Sequence, residues 1–241
     1  MAREFTEDEV VELARRAYRH GAAGVQLVPD RAALLVIDMQ DEFVRPGWTP
    51  YWVPEATLRA PLLARLVMAC RARGVPVLYT VFSATHHYLD RPGSGAAMPS
   101  RYPELGAGDP AWFRDGRIWH ELAPKLGEVV IHKPSYGAFY DTPLETILRN
   151  LGRDTVIITG TLTNLCCGTT ARQAYERGYH VAVGSDVTAT NDPAVHEYEL
   201  MTLRYGFARV LTADEIVAAL DADDGRSTAA SATAPPRRIR P

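Results

Sequence analysis

Continuous apolar runs alternate along the chain with segments of helical periodicity. Runs that are apolar throughout predict strands covered on both faces, and they occur at 32–37, 75–82, 128–132, 155–159, 181–183 and 208–211. Apolar residues three and four positions apart predict helices at 6–20, 57–73, 142–151, 166–178, 194–205 and 212–220. This alternation predicts an α/β fold, a three-layer α/β/α sandwich around a mostly parallel, doubly wound sheet.

Helix caps and apolar stripes predict where the helices begin and which side chains they bury. Thr6 and Thr142 have the side chain and position of N-caps. The stripes are expected to turn Leu58, Leu151 and Tyr198 towards the core. The fifth strand is expected to end where its apolar run meets the polar residues 184–186.

Composition predicts one main domain with two appendages. The chain has 241 residues, of which 46% are hydrophobic and 23% charged, as in an ordinary globular protein. We expect a helical extension at 1–30, packed on the core or on a second subunit, and a main domain at 31–220. The polar, low-complexity tail at 221–241 is expected to be disordered.

Charge and cysteine usage narrow the possible partners and compartment. A formal net charge of −3 with scattered basic residues argues against nucleic acid and against anionic membrane surfaces. The first residues form no apolar leader, and no run reaches the length of a membrane-spanning helix, so we expect a cytoplasmic protein. Cys70, Cys166 and Cys167 fit neither a disulfide framework nor a metal finger.

Regular patterning fails between residues 83 and 119. This segment is rich in Gly, Pro and aromatic residues, and a loop of this length is usually functional, so it is expected to enclose a substrate or contact another subunit. The adjacent His86 and His87 would point to opposite faces of an extended segment, so they do not predict a metal site. Arg91, Arg101 and Arg114 are candidates to bind a carboxylate or are solvated.

Cys166 is the strongest candidate for chemistry. It follows the strand at 155–159 and is predicted to open the helix at 166–178. Unpaired N–H groups and the positive end of a helix dipole favour a thiolate there and can hold an oxyanion. The alternative is that Cys166 is an inert, buried cysteine, as most are.

Two charged residues also follow predicted strands. Asp38 ends the first apolar run and Lys133 follows the third. Ligand sites of such sheets lie beyond the carboxyl ends of the strands, so both residues can share a crevice with Cys166. Asp38 as a turn residue and Lys133 as a solvated cation are the alternatives. Phe43, in the loop after Asp38, is expected to wall a pocket or pack in the core.

These residues stand in three segments that resemble the signature regions of the isochorismatase-like cysteine hydrolases. The segments are LLVIDMQDEF, IHKPSYGAFYDTPLETILRNLG and VIITGTLTNLCCGTTARQAYERGYHVAVGSDVTAT. The family includes N-carbamoylsarcosine, ureidoacrylate and biuret amidohydrolases and nicotinamidases. The resemblance runs from about 32 to 211 and makes 31–220 an isochorismatase-like hydrolase domain.

The resemblance implies a catalytic triad of Cys166, Asp38 and Lys133, without a cofactor. It places a cis peptide at Thr161–Leu162, with the amides of Leu162 and Cys166 as the oxyanion hole. The implied reaction is hydrolysis of a C–N bond in a small amide or N-carbamoyl (ureido) compound through a thioester, with release of ammonia or an amine. The family also implies a homo-oligomer, either a dimer or a tetramer.

Four further expectations concern substrate contacts, Cys167, metal binding and an alternative function. Tyr136 and Asn164 lie near the predicted site residues and are expected to bind substrate. Cys167 stands where the family usually has Val and is expected to point into the core. Metal-binding nicotinamidases carry an Asp-x-His motif where this chain has SATHH, so no metal is predicted. A thiol redox sensor or a ligand-binding module on the same fold is the alternative function.

Overall fold

The computed structural model describes residues 3–21, 23–91, 109 and 111–222. Its centre is a six-stranded sheet in the order β3-β2-β1-β4-β5-β6, and every neighbouring pair is parallel. The strands are β1 Ala32–Ile37, β2 Val77–Phe82, β3 Val129–Lys133, β4 Thr155–Thr161, β5 His180–Ala189 and β6 Arg209–Leu211. The predicted doubly wound α/β fold is confirmed.

Helices cover both faces of the sheet. They are α1 Glu7–His20, α2 Asp41–Val44, α3 Pro54–Ala72, α4 Leu144–Asn150, α5 Gly168–Glu176, α6 Pro193–Gly206 and α7 Ala213–Asp221. Alternate residues of β1 enter two separate cores, one with α3 and α7 and the other with α4, α5 and α6. Because both faces are covered, the central strand β1 is apolar and buried throughout, as the sequence pattern predicted.

The ends of the elements differ from the prediction in two places. Thr142 is not an N-cap: Pro143 occupies that position, and the Thr142 hydroxyl accepts the Leu144 N–H from one residue further out. β5 continues through the polar residues 184–186 to Ala189, because a register shift against β4 absorbs them before pairing resumes. Thr6 does cap α1, with Glu9 completing a capping box.

Three side chains predicted to be buried are exposed. Leu58 is 72% exposed, since the buried face of α3 runs through Ala56, Ala60 and Leu63 on the opposite side. Tyr198 lies midway between the buried His196 and Leu200 along α6 and therefore points outward, and Leu151 comes after α4 has ended. None of the helices within the described residues is long and apolar enough to span a membrane.

The returning part of segment 83–119 lies against the sheet. Gln40 pairs with Ile118 in an antiparallel bridge, and the Trp119 N–H donates to the carbonyl of Met39. Residues 92–108 and 110, including Arg101, fall outside the described residues, as does the tail beyond residue 222. The expected roles of that segment and tail therefore stay predictions.

Candidate active site

Asp38 lies at the carboxyl end of β1, beside β4, where the strand order reverses direction. It is fully buried and has a φ of 50°, in the left-handed region. Its N–H donates to the Thr80 carbonyl at 3.1 Å, and the Thr80 hydroxyl donates to its Oδ1 at 2.7 Å. Asp38 is thus held by β2 on one side and is not a solvated turn residue.

Lys133, the last residue of β3, is 0% exposed, so the solvated alternative is wrong. Its Nζ lies 2.7 Å from Asp38 Oδ2 and donates to the Ser135 carbonyl at 2.8 Å. It also lies 5.2 Å from the ring centroid of Phe82. Burial acts to lower the pKa of Lys133, but Asp38 and the Cys166 sulfur raise it above its usual value, so Lys133 is cationic.

Cys166 lies in a single π-helical turn, Thr163–Cys167, that joins β4 to α5. Its side chain is within hydrogen-bonding reach of both Asp38 and Lys133. Burial raises the pKa of the Cys166 thiol to about 12, with Lys133 acting to lower it and Asp38 to raise it. Cys166 does lie in the first turn of the continuous helix that this turn forms with α5, as expected, but burial outweighs the nearby cation and disfavours the expected thiolate.

The backbone before Cys166 has two further features. The peptide bond between Thr161 and Leu162 is cis. Among the described residues, the Leu162 N–H donates to no backbone or side-chain acceptor. An amide without an internal partner beside a buried thiol is able to donate to a bound oxygen atom.

Cys167 is buried in the core to which Cys166 also belongs. It is fully buried, its Sγ lies 3.8 Å from the Thr159 carbonyl, and it belongs to the core formed with α4, α5 and α6. Burial raises the pKa of its thiol well above the usual value. Cys166, Asp38 and Lys133 also act on the pKa of Cys167, whose Sγ nevertheless contacts the Thr159 carbonyl, and all three cysteines of the chain are free.

The three residues predicted to bind substrate lie on different parts of the fold. Phe43 lies in α2 rather than in a loop, and its ring packs 5.4 Å from that of Phe113. Asn164 lies in the π-helical turn, where its Oδ1 accepts a hydrogen bond from the Thr190 hydroxyl at 2.8 Å. Tyr136 is half-buried and packs against the same core as Cys166.

Two polar residues after Asp38 were not predicted to have a role. The Gln40 side chain bonds both backbone groups of Phe82, accepting its N–H at 2.7 Å and donating to its carbonyl at 3.0 Å. Glu42, also buried, accepts from Gln40 at 2.8 Å and from the Phe113 N–H at 2.9 Å. This pair fixes Phe82 beside Lys133 and Phe113 beside Phe82, and the QDE run after the first strand was its only signal in the sequence.

His196 of α6 also supports the site and was missed. Its Nδ1 lies 2.9 Å from the Thr163 hydroxyl, and its Nε2 lies 3.0 Å from the Ser185 carbonyl and 3.1 Å from Arg59. Burial, followed by Arg59, lowers the pKa of His196, so the imidazole is neutral. His196 therefore ties the turn that carries Cys166 to α3 and β5.

The adjacent histidines form no metal cluster. His86 and His87 both have positive φ values, and His86 Nδ1 lies 2.9 Å from Asp90 Oδ2. Within the described parts of the chain, no group of three or more His, Cys, Asp or Glu side chains is arranged to hold a metal ion.

Comparison with known proteins places this arrangement in a family. A family model described as the isochorismatase domain matches residues 32–215, which contain every site residue described above. The chain belongs to the isochorismatase family. The recognition made from the three sequence segments is thereby confirmed.

Named relatives of this isochorismatase-family protein are hydrolases. Nicotinamidase 3 of Arabidopsis thaliana is 33% identical over 77% of this chain and 86% of its own length. The ureidoacrylate amidohydrolase RutB of Methylorubrum extorquens is 30% identical over 86% of this chain and 93% of its own length.

Solved structures share the fold of this isochorismatase-family protein. A cysteine hydrolase from Pseudomonas syringae pv. phaseolicola superposes with a TM-score of 0.73 at 29% identity, covering 83% of this chain and 97% of that one. An N-carbamoylsarcosine amidase from Thermoplasma acidophilum gives a TM-score of 0.60 at 28% identity, covering 76% of this chain and 97% of that one.

Proposed function

We propose that this protein is a cysteine amidohydrolase that cleaves a C–N bond of a small amide or N-carbamoyl (ureido) compound. The observation that carries the proposal is the buried Asp38–Lys133 ion pair, 2.7 Å long, within hydrogen-bonding reach of the Cys166 thiol. A buried ion pair is costly to form and is weak evidence for stability, so its position beside a thiol favours a role in the reaction.

The first step is activation of the nucleophile. The Cys166 thiol is protonated at rest, because its pKa is raised to about 12. Asp38 accepts the thiol proton as the sulfur attacks the carbonyl carbon, so a thiolate does not have to persist in the free enzyme. Lys133 stays cationic and stabilises the negative charge that passes from the carboxylate to the sulfur and then to the carbonyl oxygen.

The remaining steps reuse the same groups. The oxyanion of the tetrahedral intermediate accepts hydrogen bonds from the Leu162 and Cys166 amides, and Asp38 returns its proton to the departing ammonia or amine. The acyl or carbamoyl group is left as a thioester on Cys166. Asp38 then removes a proton from water, which attacks the thioester, and the acid product leaves as the thiol is restored.

The relatives support the class of bond. The names nicotinamidase, ureidoacrylate amidohydrolase and N-carbamoylsarcosine amidase refer to an amide, a ureido compound and an N-carbamoyl compound. We extend the proposal to Phe43, Tyr136 and Asn164 as substrate contacts and to a cytoplasmic location. We also propose that the chain is divided into the three segments 1–30, 31–220 and 221–241.

Ammonia release tests the proposal. Purified, metal-stripped protein is incubated with a panel of N-carbamoyl amino acids, ureidoacrylate, biuret, nicotinamide and simple primary amides, alongside Cys166→Ala, Asp38→Asn and Lys133→Ala. We expect release by the parent protein alone, and trapping of a Cys166 thioester by acid quench and mass spectrometry. Turnover by Cys166→Ala at more than about a hundredth of the parent rate would overturn the mechanism.

The redox-sensor alternative predicts a different thiol. A sensor cysteine is exposed and has a low pKa, whereas Cys166 is 2% exposed and its pKa is raised. Its neighbour Cys167 is fully buried, and burial raises the pKa of its thiol well above the usual value. The surroundings of both cysteines therefore favour the enzyme.

A further inference from the structure

Arg91 lies against the proposed active site. Its Cζ is 4.6 Å from the centroid of the Phe82 ring, and Lys133 Nζ is 5.2 Å from the same centroid. Arg91 Nε donates to the carbonyl of Pro134, the residue after Lys133, at 2.8 Å. Arg91 is half-buried, whereas Arg114, which the sequence also offered for binding a carboxylate, is exposed. Arg91 is therefore held beside the site and is not simply solvated.

The contacts of Arg91 fix the plane of its guanidinium. The Phe82 ring beneath it is 3% exposed, packs 5.4 Å from the Phe113 ring and is anchored through its backbone by Gln40. A cation over an aromatic face is attracted by the ring quadrupole. The contacts to Phe82 and Pro134 use the face and the Nε–H of the guanidinium. The Nη1 and Nη2 groups form the end that holds a carboxylate through two parallel hydrogen bonds.

The neighbouring cation, Lys133, is fully engaged within the proposed triad. An ammonium group has three N–H donors. Lys133 Nζ donates to the Ser135 carbonyl at 2.8 Å and lies 2.7 Å from Asp38 Oδ2. Its third partner is the Cys166 sulfur. Since Asp38 also offsets its charge, an acidic group elsewhere on the substrate has to be held by a different cation, and Arg91 shares the Phe82 ring with Lys133.

We propose that Arg91 binds a carboxylate of the substrate, so that the compound cleaved at Cys166 carries an acidic group a few bonds from its scissile C–N bond. The inference rests on the proposed function and names the substrate class of the same site. The distance between Arg91 Cζ and Lys133 Nζ cannot exceed the sum of their two distances to the Phe82 ring, so a small molecule can contact both ends. A neutral compound of the same shape gives Arg91 no anion to bind, and it is therefore bound more weakly.

Paired acids and esters test the role of Arg91 in turnover. Ammonia release is measured from N-carbamoylglycine, N-carbamoyl-β-alanine, N-carbamoyl-γ-aminobutyrate and the methyl ester of each, with the parent protein, Arg91→Gln and Arg91→Lys. We expect the parent to prefer the best acid over its ester about 30-fold in kcat/KM. Arg91→Gln should lose that preference through a higher KM for the acid, with kcat/KM for the ester within about twofold of the parent. Arg91→Lys keeps the charge but not the planar fork, so it should recover only part of the preference.

Arg114→Gln is the matched control. It removes the same charge from the same segment, 83–119, at an exposed position next to Phe113. It should leave kcat/KM unchanged for both acid and ester. An equal loss of acid preference in Arg114→Gln would assign the preference to the net charge of the segment and would overturn the proposal.

Binding of acids that have no cleavable C–N bond separates this inference from the proposed reaction. Levulinate matches N-carbamoylglycine in shape but has carbon in place of both nitrogen atoms, and homologues longer by one and two methylene groups match the other two acids. Calorimetry should show that the parent binds at least one of these oxo acids more tightly than its methyl ester. Arg91→Gln should weaken that binding at least about tenfold, and Arg114→Gln should not change it.

The outcomes distinguish the inference from the proposed function. Equal losses of turnover towards acid and ester in Arg91→Gln would mean that Arg91 only supports Phe82 and Lys133, and would overturn the inference while the hydrolase stands. A parent protein that prefers acids over esters neither in turnover nor in binding would also overturn it. Binding of an oxo acid that depends on Arg91, without ammonia release from any substrate, would support the carboxylate site and overturn the proposed hydrolysis instead.

Discussion

Cys70 and Cys166 are two buried cysteines with the same thiol pKa and different surroundings. Burial raises the pKa of each to about 12. Cys70 lies on the buried face of α3 in an apolar core, and its only charged neighbour of note is Arg73. Cys166 lies in the π-helical turn after β4, within hydrogen-bonding reach of Asp38 and Lys133.

The comparison teaches that the pKa of the thiol does not distinguish these two sites. What differs is whether a proton acceptor and a fixed cation stand beside the sulfur. Asp38 and Lys133 come from the ends of β1 and β3, and β2 fixes the spacing between those two strands. The proposed nucleophile is thus distinguished by groups that follow three different strands and not by one residue.

The largest expected effect separates the two cysteines directly. Cys166→Ala should lower turnover by at least about 10³-fold, since it removes the attacking atom. Cys70→Ala should leave turnover unchanged and lower the free energy of unfolding by about 1 kcal/mol, because it only leaves a small cavity. Ammonia release and urea unfolding measure the two quantities. Equal loss of turnover in both variants would break the comparison.

The next largest effect is expected at Asp38, the proposed base, and at Lys133, the proposed fixed cation. Asp38→Asn should lower turnover at least about 10²-fold while making alkylation of Cys166 faster, because the Asp38 charge raises the pKa of that thiol. Lys133→Met should raise the pKa further and slow alkylation. Iodoacetamide labelling followed by mass spectrometry reports each cysteine separately.

Cys70 is the internal control for this labelling. Its rate should be the same in the parent protein and in both variants, since neither Asp38 nor Lys133 affects its pKa. Turnover and Cys166 alkylation that fall together in Asp38→Asn would contradict the assignment of Asp38 as the base.

A smaller effect is expected at the support of the Cys166 turn. His196→Asn should lower kcat about tenfold with little change in KM, because the contact with Thr163 positions the turn and not the substrate. Glu197→Asn, at the exposed neighbouring position, is the control and should change neither constant. Steady-state kinetics measure kcat and KM for both variants. A rise in KM at constant kcat in His196→Asn would assign His196 to substrate binding instead.

The smallest effect is expected at Cys167. Cys167→Val should change turnover by less than about twofold and the free energy of unfolding by less than about 1.5 kcal/mol, since the swap nearly conserves volume in a core. Thermal unfolding and ammonia release test it. A loss comparable to that of Cys166→Ala would mean that the adjacent thiol takes part in the reaction.

Local patterns in the sequence were sufficient for the order of elements and for singling out the three residues proposed here as the triad. Apolar runs, helical stripes and the Thr6 capping box depend on neighbours within a few residues, so they can be read without a structure. Asp38, Lys133 and Cys166 stood out because each follows an apolar run, and strand ends meet at one edge of a parallel sheet.

Only the tertiary structure decided how those residues behave. The raised thiol pKa of Cys166, the burial of Lys133 and the hydrogen bond from Thr80 to Asp38 arise from strands far apart in the chain. The support from His196 crosses from α6 to the turn after β4. Desolvation and long-range hydrogen bonds depend on which surfaces meet after folding, and no local pattern in the sequence records them.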